Sequence, residues 1–198
     1  MPLNFTLDLR VLFGYNKTML VPYHSRKYLL LELINKVFDS TALISQYTRR
    51  GKLESAFVLV LRSKKLFGDL QNLGGIRRKS LIMKFPNVPD QYLADFIRGY
   101  FDGDGSVYFT TYLRTKDHRK QVDLRCNFTS GSPAFLNKLR DLLTKILGLF
   151  PRKVCSYGDG NQWKLEYAGK DARALLNFIY YPQCELFLAR KAEFLKRI

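Results

Sequence analysis

The chain has 198 residues, 46% of them apolar, with 33 Lys and Arg against 17 Asp and Glu and a formal charge of +16. It is long and apolar enough to bury a core, which excludes disorder and collagen, and far more basic than solubility requires. The longest apolar run, Ala56 to Leu61, is too short to span a membrane, and MPLNFTLDLR lacks the basic-then-apolar layout of a signal peptide, so an intracellular protein, cytoplasmic or organellar and not secreted, is expected.

The charge is spread rather than loaded on a tail: residues 1–90 carry +9 and residues 91–198 carry +7. That distribution fits a long surface laid along a polyanion, with a nucleic acid duplex as the natural partner. Cys126, Cys155 and Cys184 are odd in number and form no CxxC pair, which argues against structural zinc and against a disulfide framework.

Taken in chain order, Asn4 to Phe13 alternates strictly, with Phe5, Leu7, Leu9, Val11 and Phe13 on one face and Asn4, Thr6, Asp8 and Arg10 on the other, as in a half-buried strand. Ser25 to Phe38 reads as an amphipathic helix, and its Leu30, Leu33 and Val37 match Leu136, Leu139 and Leu143 at an offset of 106. The same offset carries Arg62 to Leu73 onto Ala168 to Ile179 without a gap, so the chain reads as two copies of one unit. Lys84 to Asp90 holds two prolines and ends in an aspartate suited to capping a helix; it divides an N-terminal unit, residues 1–84, from a C-terminal unit, residues 85–198.

The helix that follows carries Leu93, Phe96, Ile97, Tyr100 and Phe101 at helical spacing and Gly99 and Gly103 one turn apart, a pair that permits close approach of another backbone. Asp102 and Asp104 sit at its negative end, where the helix dipole favours cations, and a divalent ion would offset that charge. The two side chains lie roughly 200 degrees apart around a helix, so both cannot point into one site unless the helix has ended. A calcium loop is excluded: an EF-hand would need Gly and Glu where Val107 and Leu113 stand. Further strands place Val122, Leu124, Cys126 and Phe128, then Trp163, Leu165 and Tyr167, inward. Asp123, Arg125 and Asn127, then Gln162, Lys164 and Glu166, face outward with charge and amides, groups that read base edges and phosphates. Gly158 to Asn161 reads as the turn of a hairpin.

Ile97 to Gly105, IRGYFDGDG, resembles the LAGLIDADG motif of homing endonucleases, including both acidic positions and the final glycine. The Lys84–Pro89 segment, Ser106-Val107, the Thr129-Ser130-Gly131-Ser132 turn and Leu188-Ala189-Arg190-Lys191 resemble the second half of a two-copy member; Arg98 departs from the small residue usual at the motif's second position. The resemblance implies an α+β fold of two pseudo-repeated αββαββα units, the first truncated, whose antiparallel sheets form a saddle over double-stranded DNA. It implies Mg2+ held by Asp104, phosphodiester hydrolysis, and a basic residue near the active-site water or phosphate, which Lys191 matches. Gly99 and Gly103 take the helix-interface positions. The DNA contacts expected are Asn4, Thr6, Arg10, Tyr108, Thr110, Tyr112, Arg114, Arg125, Asn127, Gln162 and Lys164. The offset puts the first motif just ahead of Met1, so the chain reads as starting after its first motif helix. The Leu93, Gly99 and Gly103 face is then expected to be exposed and to pair with a second copy as a homodimer. A non-catalytic DNA-binding regulator or an RNA-splicing maturase on the same scaffold is the alternative.

Overall fold

The computed structural model describes residues 12–13, 19–24, 28–48, 55–72, 83–158 and 160–197. The chain divides into two compact units, Met1–Arg78 and Lys79–Ile198. Asn4, Thr6 and Arg10 lie outside the described residues, as does most of the strand expected around them.

In the first unit, β1 (Leu12–Phe13), β2 (Met19–His24), α1 (Tyr28–Val37), β3 (Ile44–Thr48), β4 (Ser55–Leu61) and α2 (Lys64–Asn72) follow in order. The strands make an antiparallel sheet in the order β1-β2-β4-β3. Leu30 and Leu31 of α1 and Leu59 and Leu61 of β4 are buried, and the Tyr28 ring meets Phe57 edge-on at 5.1 Å. The Ser63 hydroxyl accepts the Leu66 N–H and starts α2.

In the second unit a 3-10 turn (Asp90–Tyr92) runs into α3 (Leu93–Asp104), followed by β5 (Gly105–Leu113), β6 (Lys120–Ser130), α4 (Pro133–Leu147), β7 (Cys155–Tyr157), β8 (Gln162–Ala168), α5 (Gly169–Ile179) and the short α6 (Ala189–Ala192). Its antiparallel sheet has the order β5-β6-β8-β7, so each unit places its fourth strand between its second and third. Helices α1 and α4, and α2 and α5, hold equivalent places in the two chain orders. The repeat is visible at this level but not in every side chain: Leu136, Leu139 and Leu143 are buried, whereas their matches Leu33 and Val37 are exposed.

One face of the second sheet forms the core with α3, α4 and α5. Leu124, Cys126, Phe128, Leu165 and Tyr167 pack with Ile97, Phe101, Leu136, Leu139, Leu175 and Leu176. Helix α4 shows why its ends fall where they do. Ser132 accepts the Phe135 N–H, Pro133 occupies the first turn where its missing N–H costs nothing, and Gly148 closes the helix in the left-handed region at φ 63.

Three expectations need correction. The boundary falls at residue 78/79 rather than 84/85, because the segment after it belongs to the second unit: the Ser132 hydroxyl donates to the Met83 carbonyl, and Phe85 packs on Phe96 and Phe135. Asp90 makes no capping hydrogen bond; it opens the 3-10 turn, where the Tyr92 N–H reaches the Pro89 carbonyl. Val122, expected inward, is 61% exposed, because the far end of the β5–β6 hairpin leaves it uncovered. Among the described residues no helix is long and apolar enough to cross a membrane.

Candidate active site and nucleic-acid interface

The acidic end of α3 is built around a buried lysine. Lys191, from α6, is 2% exposed, and its Nζ donates to the carbonyls of Phe101 (2.5 Å), Gly105 (2.6 Å) and Asp102 (3.1 Å) while lying 4.9 Å from the centre of the Phe101 ring. These carbonyls flank Asp104. A cation at the C-terminal end of a helix meets the negative end of its dipole. Lys191 therefore supplies part of the charge compensation that the sequence alone assigns to a metal ion. Contact between Lys191 and a substrate phosphate would require the ammonium to leave these acceptors, which hold the turn around Asp104.

Asp102 is a structural group. Its Oδ1 accepts the Tyr180 hydroxyl at 2.5 Å and its Oδ2 the Leu188 N–H at 2.9 Å, both in the interior. Burial pushes its carboxyl above the ordinary value; those two hydrogen bonds and the charges of Lys191 and Arg98 pull in the opposite direction. Asp102 thus joins α3 to the Tyr180–Leu188 stretch that delivers Lys191.

Asp104 is half-buried, the last residue of α3, and directly precedes β5. Its backbone carbonyl accepts the Thr129 hydroxyl at 2.8 Å, and the Tyr100 hydroxyl donates to the Thr129 carbonyl at 2.7 Å. The Tyr100 hydroxyl is pushed up by burial and further by the negative charge of Asp104. Gly105 is required by close approach: a side chain there would collide with the ring and carbonyl of Phe101.

The donor chemistry of this turn suits a hard divalent ion. Mg2+ keeps several waters and takes one or two carboxylates together with substrate phosphates, and Asp104 offers one carboxylate on a backbone held by Thr129 and Lys191. Among the described residues no group of three or more His, Cys, Asp or Glu is placed to hold a metal ion by itself.

The other faces of α3 divide differently from the expectation. Leu93 and Gly103 are buried, so the expected exposed strip of Leu93, Gly99 and Gly103 reduces to Gly99, beside exposed Tyr92. Among the described residues, no atom beyond its chain neighbours and its own helix backbone lies within 4 Å of a Cβ placed on Gly99. Arg98 points elsewhere: its guanidinium donates to the carbonyls of Leu186 (2.9 Å) and Ile179 (3.1 Å) and pairs with Asp95 at 2.6 Å. The residue that departs from the motif therefore closes the end of α5.

The solvent-side face of the second sheet is set by register. Tyr108 pairs with Arg125, Thr110 with Asp123, Tyr112 with Gln121, Asn127 with Glu166, Thr129 with Lys164, and Tyr157 with Gln162. Because side chains alternate, all of these share one face opposite the core. It brings together the expected Tyr108, Thr110, Tyr112, Arg125, Asn127, Gln162 and Lys164. Arg114 stands apart, half-exposed in the β5–β6 turn near Asp117. Asn127, 7% exposed, has little surface for a ligand.

Sequence reasoning missed several participants. Ser106 and Gln121 were legible, since they continue the alternation of Tyr108 and Arg125. Thr129, Tyr180 and the Leu188 N–H had no local signal, because each acts across a long stretch of chain.

An α+β unit whose helix ends in a held acidic residue and whose antiparallel sheet turns a polar face outward is the architecture of the homing-endonuclease fold. Residues 91–179 match the model of the LAGLIDADG-like domain. The match spans α3 to α5, the acidic end of α3 and the sheet face included. No curated protein matches it. Among solved structures it is similar to the meganuclease I-SmaMI bound to uncleavable DNA, at 14% identity and a TM-score of 0.62, over 90% of this chain and 77% of the other. It is also similar to the I-LtrWI LAGLIDADG homing endonuclease bound to target DNA, at 16% identity and a TM-score of 0.56, over 90% and 76%. The LAGLIDADG homing endonuclease I-GzeII with its DNA target matches at 15% identity and a TM-score of 0.53, over 90% and 77%. At these identities the likeness is one of fold.

Proposed function

We propose that the chain binds double-stranded DNA through the polar face of the β5–β8 sheet and hydrolyses phosphodiester bonds as a homing-type endonuclease, with Mg2+ held at Asp104. One observation carries the reading. Asp104 is followed without a gap by β5, so the metal-ligand candidate stands at the end of the strand that carries Tyr108, Thr110 and Tyr112. A phosphate backbone lying on that face runs past the carboxylate. The similar structures named above are DNA complexes, which is consistent with this reading. The protein would work inside the cell, in the cytoplasm or an organelle.

When bound, the divalent ion supplies polarisation of the phosphoryl oxygens and lowers the pKa of its water. The chain's own groups do the rest. Asp104 holds the ligand position; Lys191 and Thr129 fix the turn that presents it; Arg125, Lys164 and Arg114 attract the backbone; Gln162 offers an amide to a base edge. The exposed Gly99 side of α3 pairs with a second copy and brings two Asp104 carboxylates together.

A non-catalytic DNA-binding regulator, or an RNA-splicing maturase, on the same scaffold is the second reading. It is favoured by Lys191, whose ammonium already offsets negative charge at the end of α3 without a metal ion. Asp104→Asn separates the two. A plasmid library incubated with Mg2+ is nicked or linearised by the wild type and not by the variant, while gel retardation in EDTA is unchanged or stronger, because the variant has lost a negative charge near the phosphates. Equal cleavage by both removes Asp104 from the mechanism. Cleavage by neither, with binding preserved, selects the non-catalytic reading.

A further inference from the structure

Glu166 occupies the middle of the polar face, on β8, and three of the expected DNA contacts converge on it. Its Oε2 accepts the Tyr108 hydroxyl at 2.8 Å and the Lys164 ammonium at 3.0 Å; its Oε1 accepts Arg125 Nη1 at 2.8 Å. The side chain is 22% exposed, and those of Arg125 and Lys164 are 33% and 37% exposed. The site is therefore open to a ligand on one side. The Lys164, Tyr108 and Arg125 hydrogen bonds hold the Glu166 carboxyl below its ordinary value against the opposing effect of partial burial.

Two consequences follow from charge and valence. A carboxylate set between two cations cancels about one of their charges, so this part of the face attracts a phosphate less than its basic residues alone would. An ionised carboxylate also has about four acceptor positions, and three donors fill three of them. The position left on Oε1 takes a hydrogen-bond donor, and phosphate oxygens are acceptors. In the major groove the donors are the exocyclic amino groups, N4 of cytosine and N6 of adenine.

We propose that Glu166 is a specificity-determining residue, which holds Tyr108, Arg125 and Lys164 in one arrangement, weakens non-specific phosphate binding, and accepts a hydrogen bond from an exocyclic amino group on a base edge. This rests on the DNA-binding reading above and adds a residue and a ligand chemistry to it. It also accounts for an acidic side chain at the centre of a face that would bind polyanions more tightly without it.

Glu166→Gln keeps the shape, removes the charge and replaces one acceptor by a donor. Binding of wild type and variant to a 30-base-pair duplex of random sequence is measured by fluorescence anisotropy across a salt series, and each protein is used to select duplexes from a randomised pool. The variant binds the random duplex about fivefold tighter at low salt, with a slope of log affinity against log salt steeper by about one. At least one cytosine or adenine fixed in the wild-type selection becomes degenerate. An unchanged slope with the same selected sequence overturns the proposal, as does weaker random-duplex binding by the variant. Lys164→Met supplies an independent check should Glu166→Gln fold poorly. Loss of that cation exposes the carboxylate to the phosphates and weakens random-duplex binding about tenfold; unchanged binding overturns the proposal. Failure of the wild type itself to bind any duplex removes the DNA reading together with the proposal, whereas wild-type binding with silent variants removes the proposal alone.

Discussion

At the scale of single residues, the two aspartates of the motif have different work. Asp104 ends α3 at the turn into β5, where its carbonyl accepts the Thr129 hydroxyl, and Asp102 turns inward to receive Tyr180 and the Leu188 N–H. Asp102→Asn keeps an oxygen for the Tyr180 hydroxyl and sets an amide donor against the Leu188 N–H, leaving a buried donor unpaired. That costs about 1–3 kcal/mol of stability, measurable by urea unfolding, and reduces any cleavage much less than Asp104→Asn does. A stability unchanged within about 0.5 kcal/mol would contradict the buried pairing. The inward turn of Asp102 away from Asp104 was legible, because residues two apart on a helix point in different directions. Lys191 was legible as a basic residue of interest but not as a buried one. Its three carbonyl acceptors lie 86 to 90 residues away in sequence, and a lysine among solvated neighbours in a Leu-Ala-Arg-Lys stretch gives no sign of them.

At the scale of elements, strand alternation and helical spacing located most of the second unit. The inward set Leu124, Cys126, Phe128, Leu165 and Tyr167 is the core face, and Gly158 and Gly160 take positive φ in the turn between β7 and β8. The exposed side of α3 was misjudged because periodicity gives the angular width of an apolar stripe and not which flank a neighbour covers. Leu93 and Gly103 lie on the covered flank, Gly99 on the open one. The open space at Gly99 leads to a prediction for this helix. Gly99→Glu is accommodated in the single chain but blocks close approach of a second α3. Sedimentation at high micromolar concentration shows self-association of the wild type and its loss in the variant. A wild type that stays monomeric there excludes pairing through α3.

At the scale of the whole molecule, the proposed duplex partner rests on the +16 net charge and on a sheet face that carries Arg125, Lys164, Tyr108, Thr110 and Gln162 beside Asp123 and Glu166. The similar order of strands in the two sheets was foreshadowed by the constant offset of 106, which relates β4 to β8 and α2 to α5 within a residue or so. The polar network on the second sheet was foreshadowed only in part. Alternation assigns Arg125, Lys164 and Glu166 to one face, but their convergence depends on the register of β6 against β8, which no local pattern states. The most direct test of duplex binding is the affinity of the wild-type chain for duplex DNA as salt is raised. Neutralisation of about eight phosphates predicts that log affinity falls against log salt with a slope near −7. A slope near zero, or no binding to duplex DNA at low salt, would contradict the account.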